Sequence, residues 1–373
     1  MISPLRLGRS PSGDRAVFVH IGAPKTGTTY LQDRLLRNAA SLAAHDVHLP
    51  AGSRFVDADL FQFRAALDLL GQDWGGRPGH ADGAWRRLVR RVRRLSGTVV
   101  ISHEILAPAP PAAIARVMAD LAGSEVHVVY SVRDLGRQIP AAWQESIKQG
   151  RTWRFRSFAK RMRAGETWFH RALDLPAVLT AWGAHLPAER VHVVTVPQPG
   201  ADRDLLWRRF SEVLGIDPAW APQDTDRVNR SLGIAETALL RRLNRRFPHD
   251  TRREPHYDKL IRELLAHDEL AHRRSRPVRM SPDQLAWAEE TTDRWCAWLA
   301  ASGCHLVGDL ADLRPAPPGD APWHDPDRVR AKPVLAAAMD ALEAMTREAA
   351  SRPDPIQQLP TRFRYAVERL RRS

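Results

Sequence analysis

The chain has 373 residues with a formal charge of +13, from 56 basic against 43 acidic side chains, a length that points to one large α/β domain with additions rather than two equal domains. Two cysteines, Cys296 and Cys304, exclude a disulfide scaffold and suit a reducing compartment; no C-x-x-C or Cys/His cluster has metal-ligand spacing, and no apolar run approaches the roughly 18 residues of a membrane span. The basic excess favours anionic partners, but an Ala- and Arg-rich composition accounts for it equally well, so charge alone selects no function.

Residues 1–14 are a polar lead-in, and the opening MISPLRLGRSPSGDRA lacks the apolar run of a signal peptide, so a cytoplasmic chain is expected. Val17–Ile21 reads as a short apolar strand, Gly22–Pro24 as a tight loop, and Thr26–Thr29 as the start of a helix. Asp57–Gly71 has helical spacing, and Gln72–Gly83 is a loop. Trp85–Leu95 places Trp85, Leu88, Val89 and Val92 at i, i+3, i+4 and i+7, with six arginines on the other face. That is a basic amphipathic helix, its apolar stripe expected to face the core. Thr98–Ser102 is a β-branched run suited to a buried parallel strand, Pro110–Gly123 a helix, and Glu125–Ser131 a third strand. A helix is expected over Ile139–Gln149 with Pro140 in its first turn, then a loop with a short helix at Trp153–Met162 and a helix over Leu173–Trp182. Val191–Val196 is a fourth strand and Asp202–Leu214 a helix.

Strands alternating with helices predict a parallel sheet covered on both faces, the α/β class. After Ile216 the strand signal stops. Helices follow over Ile234–Phe247, Tyr257–Ala271 and Pro282–Ala301, the last capped by Ser281 with Pro282 at its first position. From Pro315 a proline-rich linker leads to a helix over Pro333–Ala349 and a basic tail. The expected division is a lead-in (1–14), an α/β domain (15–314, with a helical subregion 217–303), and a linker with a helical extension (315–373).

Strand, tight loop, helix is the layout that presents backbone N–H groups and a helix N-terminus to an anion. Gly22 and Gly27 have the glycine spacing of the P-loop pattern G-x-x-x-x-G-K-[ST], but Thr28 stands where that pattern has lysine, and the loop's lysine is Lys25 inside it. The run Ala23–Pro24–Lys25–Thr26–Gly27–Thr28–Thr29 resembles the 5′-phosphosulfate loop of sulfotransferases that use 3′-phosphoadenosine-5′-phosphosulfate (PAPS). The resemblance covers roughly residues 15–314. It implies a P-loop-type three-layer fold, a central parallel sheet flanked by helices, with a mainly helical C-terminal part. It also implies that Lys25 contacts the leaving phosphate and that Gly27, Thr28 and Thr29 hold the 5′-phosphate, Pro24 and Thr26 belonging to the same cofactor-binding loop.

Three further stretches carry the likeness. In VVYSVRDLGRQIPAAW, Arg133 takes the place of the arginine that contacts the 3′-phosphate, and a planar guanidinium suits a phosphate because it donates two parallel hydrogen bonds. The serine of that pattern, eight residues on, is Ala141 here, with Gln138, Gln144 and Ser146 as candidate substitutes. In VVISHEIL, the adjacent His103 and Glu104 stand where sulfotransferases supply a general base. Ser-x-Glu-x-Leu resembles bacterial members of the family and favours Glu104, with His103 the alternative. In Arg227–Gly233 (RVNRSLG), Asn229 and Ser231 match a stretch near the nucleotide in the bacterial branch, though either also reads as a helix cap.

The expected activity is in-line transfer of a sulfuryl group from PAPS to a hydroxyl or amine, releasing 3′,5′-adenosine bisphosphate, with no metal required. The acceptor is a small molecule or glycan, and Arg151, Arg154 and Arg156 read equally well as a sign of an anionic acceptor or as part of a lid over the donor; no nucleic-acid partner and no membrane span are expected, and the oligomeric state is open. Two rivals stand beside it. One is a P-loop nucleotide kinase, which needs Mg²⁺ and a lysine after the second glycine; the other is a non-catalytic relative that binds nucleotide or polyanion.

Overall fold

The computed structural model describes residues 15–51, 58–74, 76–225, 231–317 and 322–352. Its elements begin with β1 (Arg15–His20), α1 (Thr28–Arg37), α2 (Ala39–Ala43), β2 (Val47–His48), α3 (Ala58–Leu70), α4 (Ala84–Val92) and β3 (Gly97–Ser102). Next come α5 (Pro111–Asp120), β4 (Glu125–Val132), α6 (Leu135–Lys148), α7 (Phe155–Arg163), α8 (Trp168–Leu173), α9 (Leu175–Gly183) and β5 (Val191–Thr195). The chain continues with α10 (Leu205–Leu214), α11 (Ile234–Asn244), α12 (Pro255–Tyr257), α13 (Pro282–Ser302), β6 (His305–Val307) and α14 (Ala331–Ser351). It forms two compact units. The first is Met1–Glu145, Trp153–Asn229 and Arg279–His324; the second is Ser146–Thr152, Arg230–Val278 and Asp325–Ser373.

The first unit holds a six-stranded sheet in the order β2-β3-β1-β4-β5-β6, with every pair parallel. Its Val/Ile runs are buried on both faces, as parallel sheets require. Alternation along the strands divides the core. Phe18, Val100, Val129 and Val194 pack with Leu31 and Leu35 of α1 and with Trp207, Phe210 and Leu214 of α10. On the other face the Tyr130 hydroxyl donates to Ala172 O of α8 (2.9 Å), and the Trp182 indole of α9 donates to Leu106 O (3.2 Å). Helix, sheet, helix is the three-layer architecture expected of a P-loop-type α/β fold. From β1 the chain builds one side of the sheet and then crosses to β4 on the other. The carboxyl ends of β1, β3 and β4 therefore flank a switch point, the position where such sheets bind ligands.

Three local expectations need correction. The strand signal does not end at Ile216: β6 pairs with β5, with His192 opposite His305. Three residues are too few for a sequence period to show, and the two-residue edge strand β2 escaped for the same reason. The helix expected over Ile139–Gln149 starts at Leu135, because Asp134 Oδ1 accepts from Arg137 N (2.9 Å) and organises the first turn earlier. Pro140 thus sits inside α6, where it removes the N–H that would donate to Gly136 O. In α4 the stripe of Trp85, Leu88, Val89 and Val92 is buried and the arginines are exposed, as its spacing requires. Ser281 caps α13 with a reciprocal capping box through Gln284.

In the second unit α11 packs Ala235 and Ala238 against Val334 of α14. Glu236 of α11, fully buried, accepts from Arg273 Nε (2.8 Å), and Arg273 also pairs with Asp340 of α14. The α12 turn runs on as wide π-type turns over Asp258–Glu269. Among the described residues no helix is long and apolar enough to cross a membrane.

Candidate functional site

β1 delivers its last residue, His20, to the middle of the sheet. Beyond it the chain stays tied to β4, Ile21 N and Ala23 N donating to Val129 O and Ser131 O at 2.9 Å each. It then turns through Gly22 (φ 40°), Lys25 (φ 69°) and Gly27 (φ 90°). A left-handed backbone at a non-glycine residue costs on the order of 1–3 kcal/mol and survives only where the surroundings hold it. Here they do. Ala23 O accepts from Thr26 Oγ1 (2.6 Å), Pro24 O from Gln138 Nε2 (2.9 Å) and Lys25 O from Arg133 Nη1 (3.2 Å).

With those carbonyls engaged by side chains, the donors of the turn are left for something else. α1 opens on Gly27, which offers no side-chain cap, and has no acidic residue in its first turn. Leu31 N is the first to close an intrahelical bond, to Gly27 O (3.0 Å), so the amides of Thr28, Thr29 and Tyr30 lack intrahelical acceptors. Thr28 is 3% exposed, yet its Oγ1 has no hydrogen-bond partner. A Cβ on Gly22 would lie 2.7 Å from that hydroxyl, which is why the position must be glycine. Nε of Arg133 is likewise buried without a partner. Burial lowers the Arg133 pKa to about 10, with Arg137 adding to the shift and Asp134 opposing it; the guanidinium stays charged at neutral pH. Orphaned buried donors cost about 1–3 kcal/mol each. Both here sit around one open helix N-terminus, an arrangement suited to an anion with several acceptor oxygens.

The Lys25 ammonium is ion-paired with Glu145 of α6, the two side chains 33% and 12% exposed. Glu145 was not foreseen from the sequence. The signal was available: it stands seven residues after Gln138, two turns along the same helix face. Beneath the loop lies a second unforeseen group. His20 is fully buried, its Nδ1 2.8 Å from Ser102 Oγ and its Nε2 3.0 Å from Ser131 Oγ. Burial, then the neighbouring His103, lowers its pKa to about 3, so it is a neutral link between the tips of β1, β3 and β4. Gln32 of α1 closes the network by donating to Ser102 O (2.7 Å).

His103 and Glu104 follow β3 directly. His103 N donates to His20 O (3.1 Å), its Nδ1 accepts from Ile105 N (3.2 Å), and its ring stacks on Phe63 with centroids 5.0 Å apart. Glu104 opens a single 3₁₀ turn and is half-buried; no side-chain hydrogen bond or ion pair ties its carboxylate among the described residues. The structure thus brings Arg133 and Gln138 onto the carbonyls of Lys25 and Pro24 in the loop that runs on through Thr26 and Gly27 to Thr28, and sets His103 and Glu104 at the adjoining strand end. Gln138, one candidate for the role of the serine absent at Ala141, uses its amide on Pro24 O. Gln144 is buried. Ser231 is exposed in the second unit, and Asn229 lies outside the described residues. Among the described residues no cluster of three or more His, Cys, Asp or Glu could hold a metal ion.

No family model matches the sequence, and no curated protein does. A solved structure, that of a sulfotransferase from Alicyclobacillus acidocaldarius, is similar to this chain at 14% identity and a TM-score of 0.37, covering 57% of this chain and 85% of that one. At that distance the likeness carries no argument about what this chain binds or does.

Proposed function

We propose that the chain is a sulfotransferase that takes PAPS as donor and a hydroxyl or amine as acceptor. The observation that carries the reading is the buried, partnerless Thr28 hydroxyl at the uncapped start of α1, with Arg133 bonded to the same loop. Bound there, the donor supplies an activated sulfuryl group whose transfer leaves adenosine 3′,5′-bisphosphate. The amides of Gly27, Thr28 and Thr29 and the Thr28 hydroxyl hold the 5′-phosphate. Lys25 neutralises the charge that develops on that phosphate as the bond from its bridging oxygen to sulfur breaks, where preorganised donors contribute most. Arg133 engages the 3′-phosphate and so selects this donor over ATP. Glu104 takes the acceptor's proton as the new bond to sulfur forms, with His103 as the alternative base.

Calorimetry with adenosine 3′,5′-bisphosphate, paired with a mass-spectrometric screen for acceptors that gain one sulfuryl group when the protein and PAPS are added to a cell extract, tests the reading. Binding with transfer supports it. Binding without transfer leaves a nucleotide-binding protein, and Mg²⁺-dependent consumption of ATP without PAPS makes the chain a kinase instead.

A further inference from the structure

We propose that Glu145 is a built-in competitor at the anion site, holding the Lys25 ammonium until a ligand phosphate takes the lysine over. This rests on the phosphate reading of the loop. α6 grips that loop at two places on one face. Gln138 holds the Pro24 carbonyl, and two turns further, roughly 10 Å along the helix axis, Glu145 holds the lysine side chain. The Lys25 backbone is pinned by Arg133 on its carbonyl and by its left-handed turn, so the side chain is the part of the residue free to change partner.

The Glu145 side chain is only 12% exposed, against 33% for Lys25. A carboxylate that sheltered is poorly solvated, so drawing the lysine away gives up the attraction of the pair with little return from water. A bound phosphate brings its own negative charge toward the same group. Both effects oppose binding, and a ligand shifts the lysine only by the difference in its affinity for the two positions. A doubly phosphorylated nucleoside, anchored independently at Arg133 and at the start of α1, supplies that difference better than a lone phosphate. Glu145 therefore sets a threshold that favours multiply charged nucleotides over simple anions.

The test is calorimetry of adenosine 3′,5′-bisphosphate against the parent chain and Glu145→Gln, repeated in a Lys25→Gln background. Glu145→Gln is expected to bind about fivefold tighter, the weight of one partly exposed ion pair, and Glu145→Asp, which keeps the charge, to bind like the parent. A structural defect would weaken binding, so a gain is not explained by damage. Equal or weaker binding by Glu145→Gln, when the parent binds, overturns the competitor role and leaves the phosphate reading standing. A gain undiminished in the Lys25→Gln background also overturns it, because Glu145 would then act on the ligand without the lysine. If neither the parent nor Glu145→Gln binds, both readings fall.

Discussion

Two clusters of buried polar side chains lie in the same sheet and follow opposite rules. Near the starts of β4, β5 and β6, His127, His192 and His305 form a ladder across the strands. His127 Nδ1 is 2.9 Å from His192 Nε2, and His192 Nδ1 is 2.8 Å from His305 Nδ1. Phe18 stacks on the His127 ring at 4.5 Å, and Glu125 lies 3.5 Å from its far nitrogen. His127 and His192 thus have neighbours on both sides. At the carboxyl ends of β1, β3 and β4 the pattern breaks: His20 is satisfied by two serines, while Thr28 Oγ1 and Arg133 Nε just beyond it are buried without partners. A satisfied network holds strands together; unsatisfied donors at a switch point mark where a ligand belongs. Chemistry and stability should therefore separate when each cluster is altered.

The largest separation is expected from Lys25→Ala, which should lower sulfuryl transfer by about 100- to 1,000-fold while lowering stability by no more than the weight of the lost Glu145 ion pair, about 1 kcal/mol. His192→Leu should do the reverse, lowering stability with turnover changed at most a few-fold. Steady-state rates and denaturant melts on both variants check this, and a Lys25→Ala rate within tenfold of the parent breaks the contrast.

Next in size is a pH effect that belongs to the ladder. Burial, then His127 and His305, lowers the His192 pKa from the ordinary 6.5 to about 3. Between those values the unfolded chain carries the proton and the folded chain does not. Stability is therefore complete above about pH 6.5, falls as the pH drops toward 3, and loses up to about tenfold in the folding equilibrium constant per pH unit for each such group. His20, also lowered to about 3, adds to the slope. Denaturant melts at several pH values should show His192→Leu with a slope shallower by one proton; an unchanged slope removes the ladder from the account.

Arg133→Ala comes third, with an expected loss of about 100-fold in affinity for adenosine 3′,5′-bisphosphate, as suits a charged hydrogen bond to the 3′-phosphate, and a clearly smaller loss for adenosine 5′-phosphate from the freed Lys25 carbonyl. Calorimetry with both ligands checks it, and equal losses for the two would move Arg133 from 3′-phosphate selection to holding the loop.

Much of this was legible in the sequence, and the exceptions have physical reasons. The β-branched runs located β1, β3, β4 and β5, because a strand buried on both faces needs them. The glycine spacing around Lys25 marked the tight turn between β1 and α1, because glycine takes the left-handed backbone that Gly22 and Gly27 adopt there at little cost. His20 was not legible, and for Glu145 only its helix face was, not its pairing with Lys25. The partners of His20 lie 82 and 111 residues away, and those of Lys25 and Glu145 are 120 apart, so only the sheet order and the path of α6 bring them together. Pro140 misled because its preference for a first turn is statistical, whereas Asp134 capped α6 earlier.

The smallest expected effect separates two hydroxyls at the same end of the sheet. In Thr28→Val a methyl replaces a hydroxyl that has no protein partner, so the unliganded chain should keep its stability or gain slightly by losing an orphaned group. Affinity for adenosine 3′,5′-bisphosphate should fall about tenfold, the weight of one hydrogen bond to a charged oxygen. In Ser131→Ala the missing hydroxyl leaves His20 Nε2 buried and alone, and stability should fall by about 1–3 kcal/mol. Melts and calorimetry on the pair read the two signs directly. A Thr28→Val chain that is destabilised yet binds as before would mean its hydroxyl serves the fold, and the anion site would lose the group that defines it.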